Sequence, residues 1–334
     1  MGEFRCNPII GQWVMVEDDA HSLGPQDYEK ADQTRTKQAV CQFCEGREDQ
    51  TPEEVDAVRH DGSPANGPGW SARVVPNRFP ALRIEGSLEK RGMGIYDISN
   101  GIGAHEIVIE TNDHTRDLAD LSVDEIAGVL KLFQRRILSL AKDKRFKYIM
   151  IFKNFGRSAG TSVEHAHSQI IALPMVPRSV LAELEGGRQY FGFRGRCVYC
   201  DMIQQEYEDQ ERLVVDNGTF LAFCPYVPQY SFESWVIPKD HESHFHTLTD
   251  ERRRQLAEVL KEILSRLMAC LHQCSYNFYL HTAPVNYQDS ESFHWHIEIV
   301  PQIARESGYE WGTGFSLVRT SPVKAAAYLK EVKV

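Results

Sequence analysis

The chain has 334 residues, longer than one ordinary domain of roughly 100–200 residues, and 42% of them are apolar, enough for a sizeable core. Its formal charge of −10 argues against an extended polyanion such as duplex nucleic acid as partner, whereas a small phosphorylated ligand needs only local donors. No apolar run reaches the ~18 residues of a membrane span and Met1–Cys6 holds no signal core, so the expectation is a cytoplasmic protein, away from membranes, whose eight cysteines are thiols or metal ligands rather than disulfides.

Residues 17–71 are polar and rich in Gly, Pro, Asp and Gln, and carry a Cys-x-x-Cys at Cys41 and Cys44. They read as irregular structure pinned by whatever those cysteines bind. Glu106–Thr111 reads as a strand ending at Asn112-Asp113-His114. Ser122-x-x-Glu125 is a capping-box signature and predicts an amphipathic helix to about Lys142. A β-rich run follows at Lys147–Asn154, then the Gly/Ser-containing loop Asn154–Ser162, then the strand His165–Ala172.

The same order recurs. Cys197-x-x-Cys200 precedes a strand at Ser234–Pro238, which ends at Lys239-Asp240-His241. A helix is expected from about Asp250 to Leu271, then strands at Asn277–His281 and His294–Val300. His241 lies 127 residues after His114, while His294 and His296 each lie 129 after His165 and His167. Matching elements at matching offsets point to an internal duplication, divided here as 1–186 and 187–334.

Two thiolates three apart together with two imidazoles make the donor set that zinc favours in tetrahedral sites. Cys41, Cys44, His114 and His165 form the first such set, with His105 as an alternative to His114. Cys197, Cys200, His241 and His294 form the second, where His244 and His246 compete with His241. A single Cys-x-x-Cys could be incidental; its recurrence with the same trailing histidines favours metal. Four ligands close the shell, so Zn2+ there is expected to be structural.

In the strand His165-Ala-His167-Ser-Gln169, alternate side chains share a face. A neutral imidazole at His167 is a competent nucleophile towards phosphorus, and Gln169 offers an amide donor beside it. The preceding loop adds backbone N–H groups, the Ser162 hydroxyl and the charge of Arg157. Histidines that only fill a core or bind metal are the plainer alternative. The second half is an internal control: its strand reads His294, His296, Glu298, and its loop holds Asp289 and Glu291 without glycine. Carboxylates repel a phosphodiester, so the first half is expected to be catalytic and the second structural. Cys270 and Cys274 read as core, and Lys90-Arg91 and Arg252-Arg253-Arg254 as solvated faces.

These residues, with Asn7–Val14 and Val75–Leu82, resemble the galactose-1-phosphate uridylyltransferase branch of the histidine-triad superfamily, over nearly the whole chain. The resemblance implies an α/β (α+β) fold, a duplicated histidine-triad-like unit with an extended, mainly antiparallel sheet flanked by helices. It implies that His167 attacks a nucleoside diphosphate sugar, keeps the nucleotide covalently and yields it to a phosphate-bearing acceptor. Gln169 and Ser162 would hold the non-bridging oxygens. Asn77, Arg78 and Phe79 would meet the nucleoside, and Asn154 and Gly160 the phosphates. A homodimer is implied, the partner chain completing the sugar pocket.

The sequence also departs from that pattern. Ala166 stands where the uridylyltransferases usually have proline, and Ala304, beside Arg305, where they carry a sugar-phosphate lysine. Phe293–Pro301 and Gly308–Phe315 look more like the ADP-glucose phosphorylase-like branch, which moves adenylyl groups to phosphate. Glu183, His281, His294 and His296 match the ligands of a second metal in the uridylyltransferases, and compete for His294 with the cysteine-containing set preferred here. A uridylyltransferase, an adenylyl-transferring phosphorylase acting on ADP-glucose or adenylylsulfate, and a histidine-triad hydrolase remain as readings of one site; a zinc-bearing binding module is the reading without catalysis.

Overall fold

The computed structural model describes residues 2–28 and 41–334. Its strands begin with β1 (Glu3–Cys6), β2 (Trp13–Val16), β3 (Asp56–Arg59), β4 (Trp70–Pro76), β5 (Arg91–Met93), β6 (Tyr96–Ile98) and β7 (Ala104–Ile109). Helix α1 (Val123–Leu140) follows, then β8 (Tyr148–Phe155), β9 (His167–Leu173), α2 (Arg178–Arg194) and α3 (Val198–Asp209). The second half comprises β10 (Leu213–Asp216), β11 (Phe220–Phe223), β12 (Ser234–Pro238), α4 (Asp250–Cys270), β13 (Tyr276–His281) and β14 (His296–Pro301). The chain closes with α5 (Gly308–Thr313), β15 (Ser316–Val318) and α6 (Pro322–Glu331).

Ten strands form one sheet in the order β10-β11-β12-β14-β13-β8-β9-β7-β4-β3. Every ladder in it is antiparallel. The order is symmetric about the β13–β8 pair: β14 answers β9, β12 answers β7, β11 answers β4 and β10 answers β3. The repeat in the sequence thus has a geometric counterpart. Asn277 opposite Asn154 is part of the central ladder that joins the two halves.

Period-2 alternation gives the sheet two unlike faces. On β9, Ile170 and Ala172 turn to the core, joining Val108 of β7, Ile151 of β8 and Phe278 of β13. Against them pack Leu130, Phe133 and Ile137 of α1 and Leu260, Ile263 and Leu264 of α4. The Phe133 and Phe278 rings meet edge to face at 6.5 Å, so one apolar core spans both halves. Helix α1 starts where the capping box put it: Ser122 Oγ accepts from the Glu125 N–H, and Glu125 accepts from the Ser122 N–H. The opposite face of the sheet, free of these helices, carries the polar side chains described below.

Three expectations need correction. The stretch 17–71 contains β3 and the start of β4, because Asp56, Ala57 and Val58 pair with Val74, Arg73 and Ala72; residues 29–40 lie outside the described residues. β9 and β14 begin at His167 and His296, so His165 and His294 stand just before the ladders rather than within them. Cys197 is the N-cap of helix α3. Arg253 is buried and hydrogen-bonds Gln134 and Asp250, because consecutive residues on a helix point about 100° apart and cannot all face water. No helix among the described residues is long and apolar enough to cross a membrane.

Candidate active site and metal centres

His167 and Gln169 project from β9 into a cavity of about 200 Å³. Asn77, Arg78 and Phe79, just beyond β4, line it with Phe43, Val75 and Ile107, and Gly160, Thr161 and Ser162 line it from the loop after β8. That loop makes a short 3-10 turn at Arg157–Ala159 and reverses at Gly160, whose φ of +89° is left-handed and disfavours any side chain. Asn154 is not on the lining. Its Oδ1 accepts from Asn277 Nδ2 at 2.7 Å, and the same Asn277 amide donates to the Ala159 carbonyl at 2.9 Å. A residue of the second half therefore braces the loop of the first. Arg157 is exposed and its Nη2 lies 3.4 Å from Glu164.

The His167 ring has a defined tautomer. Its Nδ1–H donates to the His165 carbonyl at 2.8 Å, leaving the lone pair on Nε2. Burial, chiefly, lowers its pKa to about 4, so the imidazole is neutral near pH 7. A neutral imidazole with a free Nε2 at a polar cavity is equipped for nucleophilic attack.

Beside it, Cys41, Cys44, His114 and His165 offer donor atoms all within 4.8 Å of one another. His165 Nε2–H donates to the Thr111 carbonyl at 2.7 Å, which turns Nδ1 to 3.7 Å from both sulfurs. His114 Nδ1 lies 3.5 Å from Cys44 Sγ. Burial and the adjacent Cys41 push the Cys44 thiol up to about 11, a penalty that a divalent cation would reverse. The second half repeats the arrangement with Cys197, Cys200, His241 and His294. There His241 Nε2–H donates to the Ser290 carbonyl at 2.9 Å, and Nδ1 lies 3.3 Å from Cys200 Sγ. Each backbone carbonyl fixes a tautomer that leaves the ligating nitrogen free, as metal-binding histidines require. Both groups are compatible with zinc. His244 and His246 lie apart from this group, and so does His105 from the first.

The competition for His294 resolves in favour of the cysteine-containing set. His294 joins the cysteines, while Glu183, His281, His296 and Glu298 form a third, separate group. The alternative Glu183/His281/His294/His296 set differs from this third group in one member, Glu298 standing in place of His294. Strand β14 starts at His296, so His296 and Glu298 share a face and His294 does not belong to that pleat. His281 Nδ1 lies 2.9 Å from Glu183 Oε1, and His296 Nε2 lies 3.4 Å from Glu298 Oε1. Burial opposes charge on His281, but Glu183 and Glu298 outweigh it and raise its pKa to about 9. Glu298 opposes Trp235 on β12 as Gln169 opposes Ile107 on β7, so a carboxylate occupies the place of the amide.

Two residues escaped the sequence reading. His105, weighed only as a metal ligand, has its Nε2 2.8 Å from Gln169 Oε1. Its period-2 spacing from Ile107 carries a signal for a shared face, but not for its partner. Asn277 carries no signal at all, since only the β8–β13 ladder brings it to the loop.

A duplicated antiparallel sheet presenting a neutral histidine and an amide to a polar cavity, with closed cysteine–histidine clusters behind, is the architecture of a nucleotide-transferring enzyme. The galactose-1-phosphate uridyl transferase N-terminal domain model matches residues 2–177, and the corresponding C-terminal domain model matches residues 183–318. ADP-glucose phosphorylase of Arabidopsis thaliana is 34% identical, over 99% of this chain and 93% of its own length. Galactose-1-phosphate uridylyltransferase of Thermotoga maritima is 27% identical, over 100% and 99%. The crystal structure of an Arabidopsis thaliana ADP-glucose phosphorylase with bound ADP-glucose superposes with a TM-score of 0.84 at 32% identity, covering 100% of both chains. The chain belongs to the galactose-1-phosphate uridylyltransferase family and is a nucleotidyltransferase.

Proposed function

We propose that the protein moves a nucleoside monophosphate from a nucleoside diphosphate sugar to a phosphate-bearing acceptor, and that His167 carries it covalently between the two. The observation behind this reading is the His167 ring, with Nδ1–H committed to the His165 carbonyl and Nε2 left to the cavity. Nε2 attacks the α-phosphorus, the bond from that phosphorus to the bridging oxygen breaks, and the sugar phosphate leaves with the electron pair. An acceptor phosphate oxygen then attacks the same phosphorus and His167 departs as the neutral ring. Gln169, Ser162 and the backbone at Gly160 hold the non-bridging oxygens, where hydrogen bonds strengthen as charge develops. Asn77, Arg78 and Phe79 hold the nucleoside. Asn154 contributes through the loop it anchors.

The half 1–186 is assigned the chemistry and 187–334 structural support and metal binding. Zinc held by Cys41, Cys44, His114 and His165 would fix the chain on the N-terminal side of His167, and Cys197, Cys200, His241 and His294 would do the same before His296. Closed four-ligand shells make these ions structural. The working form is assigned as a cytoplasmic homodimer in which the partner chain completes the sugar pocket.

Among donors, ADP-glucose with inorganic phosphate as acceptor is favoured by the 34% identity to the Arabidopsis phosphorylase and by Ala304 and Ala166. Uridylyl transfer to galactose 1-phosphate, in galactose metabolism, is the second reading, supported by the Thermotoga relative. Intact mass after incubation with ADP-glucose or UDP-glucose separates them. An adenylyl adduct discharged by phosphate supports the first, and a uridylyl adduct discharged by galactose 1-phosphate the second. Loss of the adduct without acceptor would indicate hydrolysis. An adduct that persists in His167→Asn would overturn the nucleophile.

A further inference from the structure

His105 lies on β7, two residues from Ile107, and Ile107 stands opposite Gln169 on β9. His105 and Gln169 are therefore diagonal neighbours on one face, within reach of long side chains. The backbone N–H of Ala81 donates to His105 Nδ1 at 3.2 Å, so the ring carries its proton on Nε2. That Nε2 is 2.8 Å from Gln169 Oε1. Asn77 stands beside the ring. Its backbone N–H donates to the His105 carbonyl at 2.8 Å, and its Oδ1 accepts from the Phe79 N–H at 2.9 Å, which turns the Asn77 Nδ2 to within 3.1 Å of the imidazole. His105 itself is not part of the cavity lining that includes His167 and Gln169.

A glutamine amide has one accepting end and one donating end, and the two are nearly the same shape. With the accepting end held by His105, the N–H groups are left for the cavity beside His167. Released from His105, the amide can turn its carbonyl oxygen towards a phosphoryl group, where oxygen meets oxygen. We infer that His105 is a positioning residue that sets the Gln169 amide so that its N–H groups meet the transferred phosphoryl oxygens. It acts through Gln169 and does not touch substrate. The second half lacks this device: Glu233, two residues from Trp235 as His105 is from Ile107, accepts from the Trp235 indole at 2.9 Å and from the Gln229 backbone at 2.7 Å. There the amide is replaced by Glu298, which has nothing to orient.

The inference rests on Gln169 as a phosphate donor, and the test reads that separately. The rate of the mass adduct on His167 is measured in single turnovers with ADP-glucose and with UDP-glucose, using whichever donor labels the wild type. His105→Leu, His105→Gln, Gln169→Ala and the double variant His105→Leu/Gln169→Ala are compared. His105→Leu is expected to slow labelling about 10- to 100-fold, somewhat less than loss of a whole oxyanion donor, with little change in half-saturating donor. His105→Gln, which can still donate to Gln169, should recover most of the rate. In the Gln169→Ala background, His105→Leu should change the rate less than about twofold, because both act through one group. If Gln169→Ala is slow but His105→Leu is not, or if their effects multiply, the positioning role is wrong. If Gln169→Ala labels at the wild-type rate, the phosphate-donor reading falls and the inference with it. Should His105→Leu fail to fold, His105→Asn, too short to reach Gln169, takes its place.

Discussion

Lys153 is a buried lysine directly behind the strand that carries His167. Its Nζ lies 2.6 Å from Glu110 and 3.0 Å from Asp117, and all three side chains are almost wholly withdrawn from solvent. Ser168 donates to the same Glu110, and Tyr276 to the same Asp117 at 3.2 Å. Burial would strip the charge from Lys153, but the two carboxylates outweigh it and keep it charged. Removing the cation leaves carboxylates buried without a counter-ion, which costs about 3–5 kcal/mol in comparable pairs. Lys153→Met is expected to lose stability of that order in urea unfolding, and Lys153→Met/Glu110→Gln to recover part of it. A loss under about 1 kcal/mol would show that the cluster is solvated or already neutral. On sequence alone Lys153 is one polar residue in a β-rich run; Glu110 and Asp117 meet it only because β7 and β8 flank β9 in the sheet, which brings the segment after β7 to Lys153.

At the scale of elements, helix α2 contains Gly186-Gly187 in its middle, where glycine ordinarily costs about 1 kcal/mol relative to alanine. Here a Cβ on Gly186 would fall 1.7 Å from the Ile9 carbonyl oxygen, and one on Gly187 would fall 2.4 Å from that of Ser292. The helix is thin at this point so that the opening segment and the loop before β14 can lie against it. Gly186→Ala should therefore destabilise, by about 1–3 kcal/mol as in overpacked cores, although propensity alone gives the opposite sign. Chemical denaturation checks this, and a gain in stability would mean that the Ile9 segment yields. The capped start of α1 was legible from Ser122 and Glu125. Helix α2 was not, because its glycines break the periodic signal that close packing explains.

For the whole molecule, the two halves share one sheet and one core, through β8 against β13 and through α1 with α4. The two cysteine–histidine groups draw on residues just before the strands bearing His167 and His296, joining loops to sheet rather than half to half. Zinc at both cysteine–histidine groups predicts about two equivalents per chain by elemental analysis, with any third traced to Glu183, His281, His296 and Glu298. Chelation should lower the unfolding midpoint, since a metal bound by the folded state alone stabilises it by mass action. Cys41→Ser and Cys197→Ser should each release one equivalent; a protein that keeps its metal content after both would refute the ligand sets.

What the sequence by itself determined was the repeat, the two cysteine–histidine sets that the structure brings together and the strand that bears His167. These rest on features read along the chain: spacing three apart in Cys-x-x-Cys, alternation along a strand, and closely similar offsets between halves. Residues 17–71 resisted, because β3 is recognisable only by its pairing with β4. The third cluster resisted for a related reason: where β14 begins decides whether His294 or Glu298 belongs with His296, and hydrogen bonds to neighbouring strands set that point. Only the tertiary structure decided which residues stand behind those of the candidate site. His105 behind Gln169, Asn277 behind the loop and Lys153 behind β9 are joined by strand registers between distant segments, and no local pattern encodes a register.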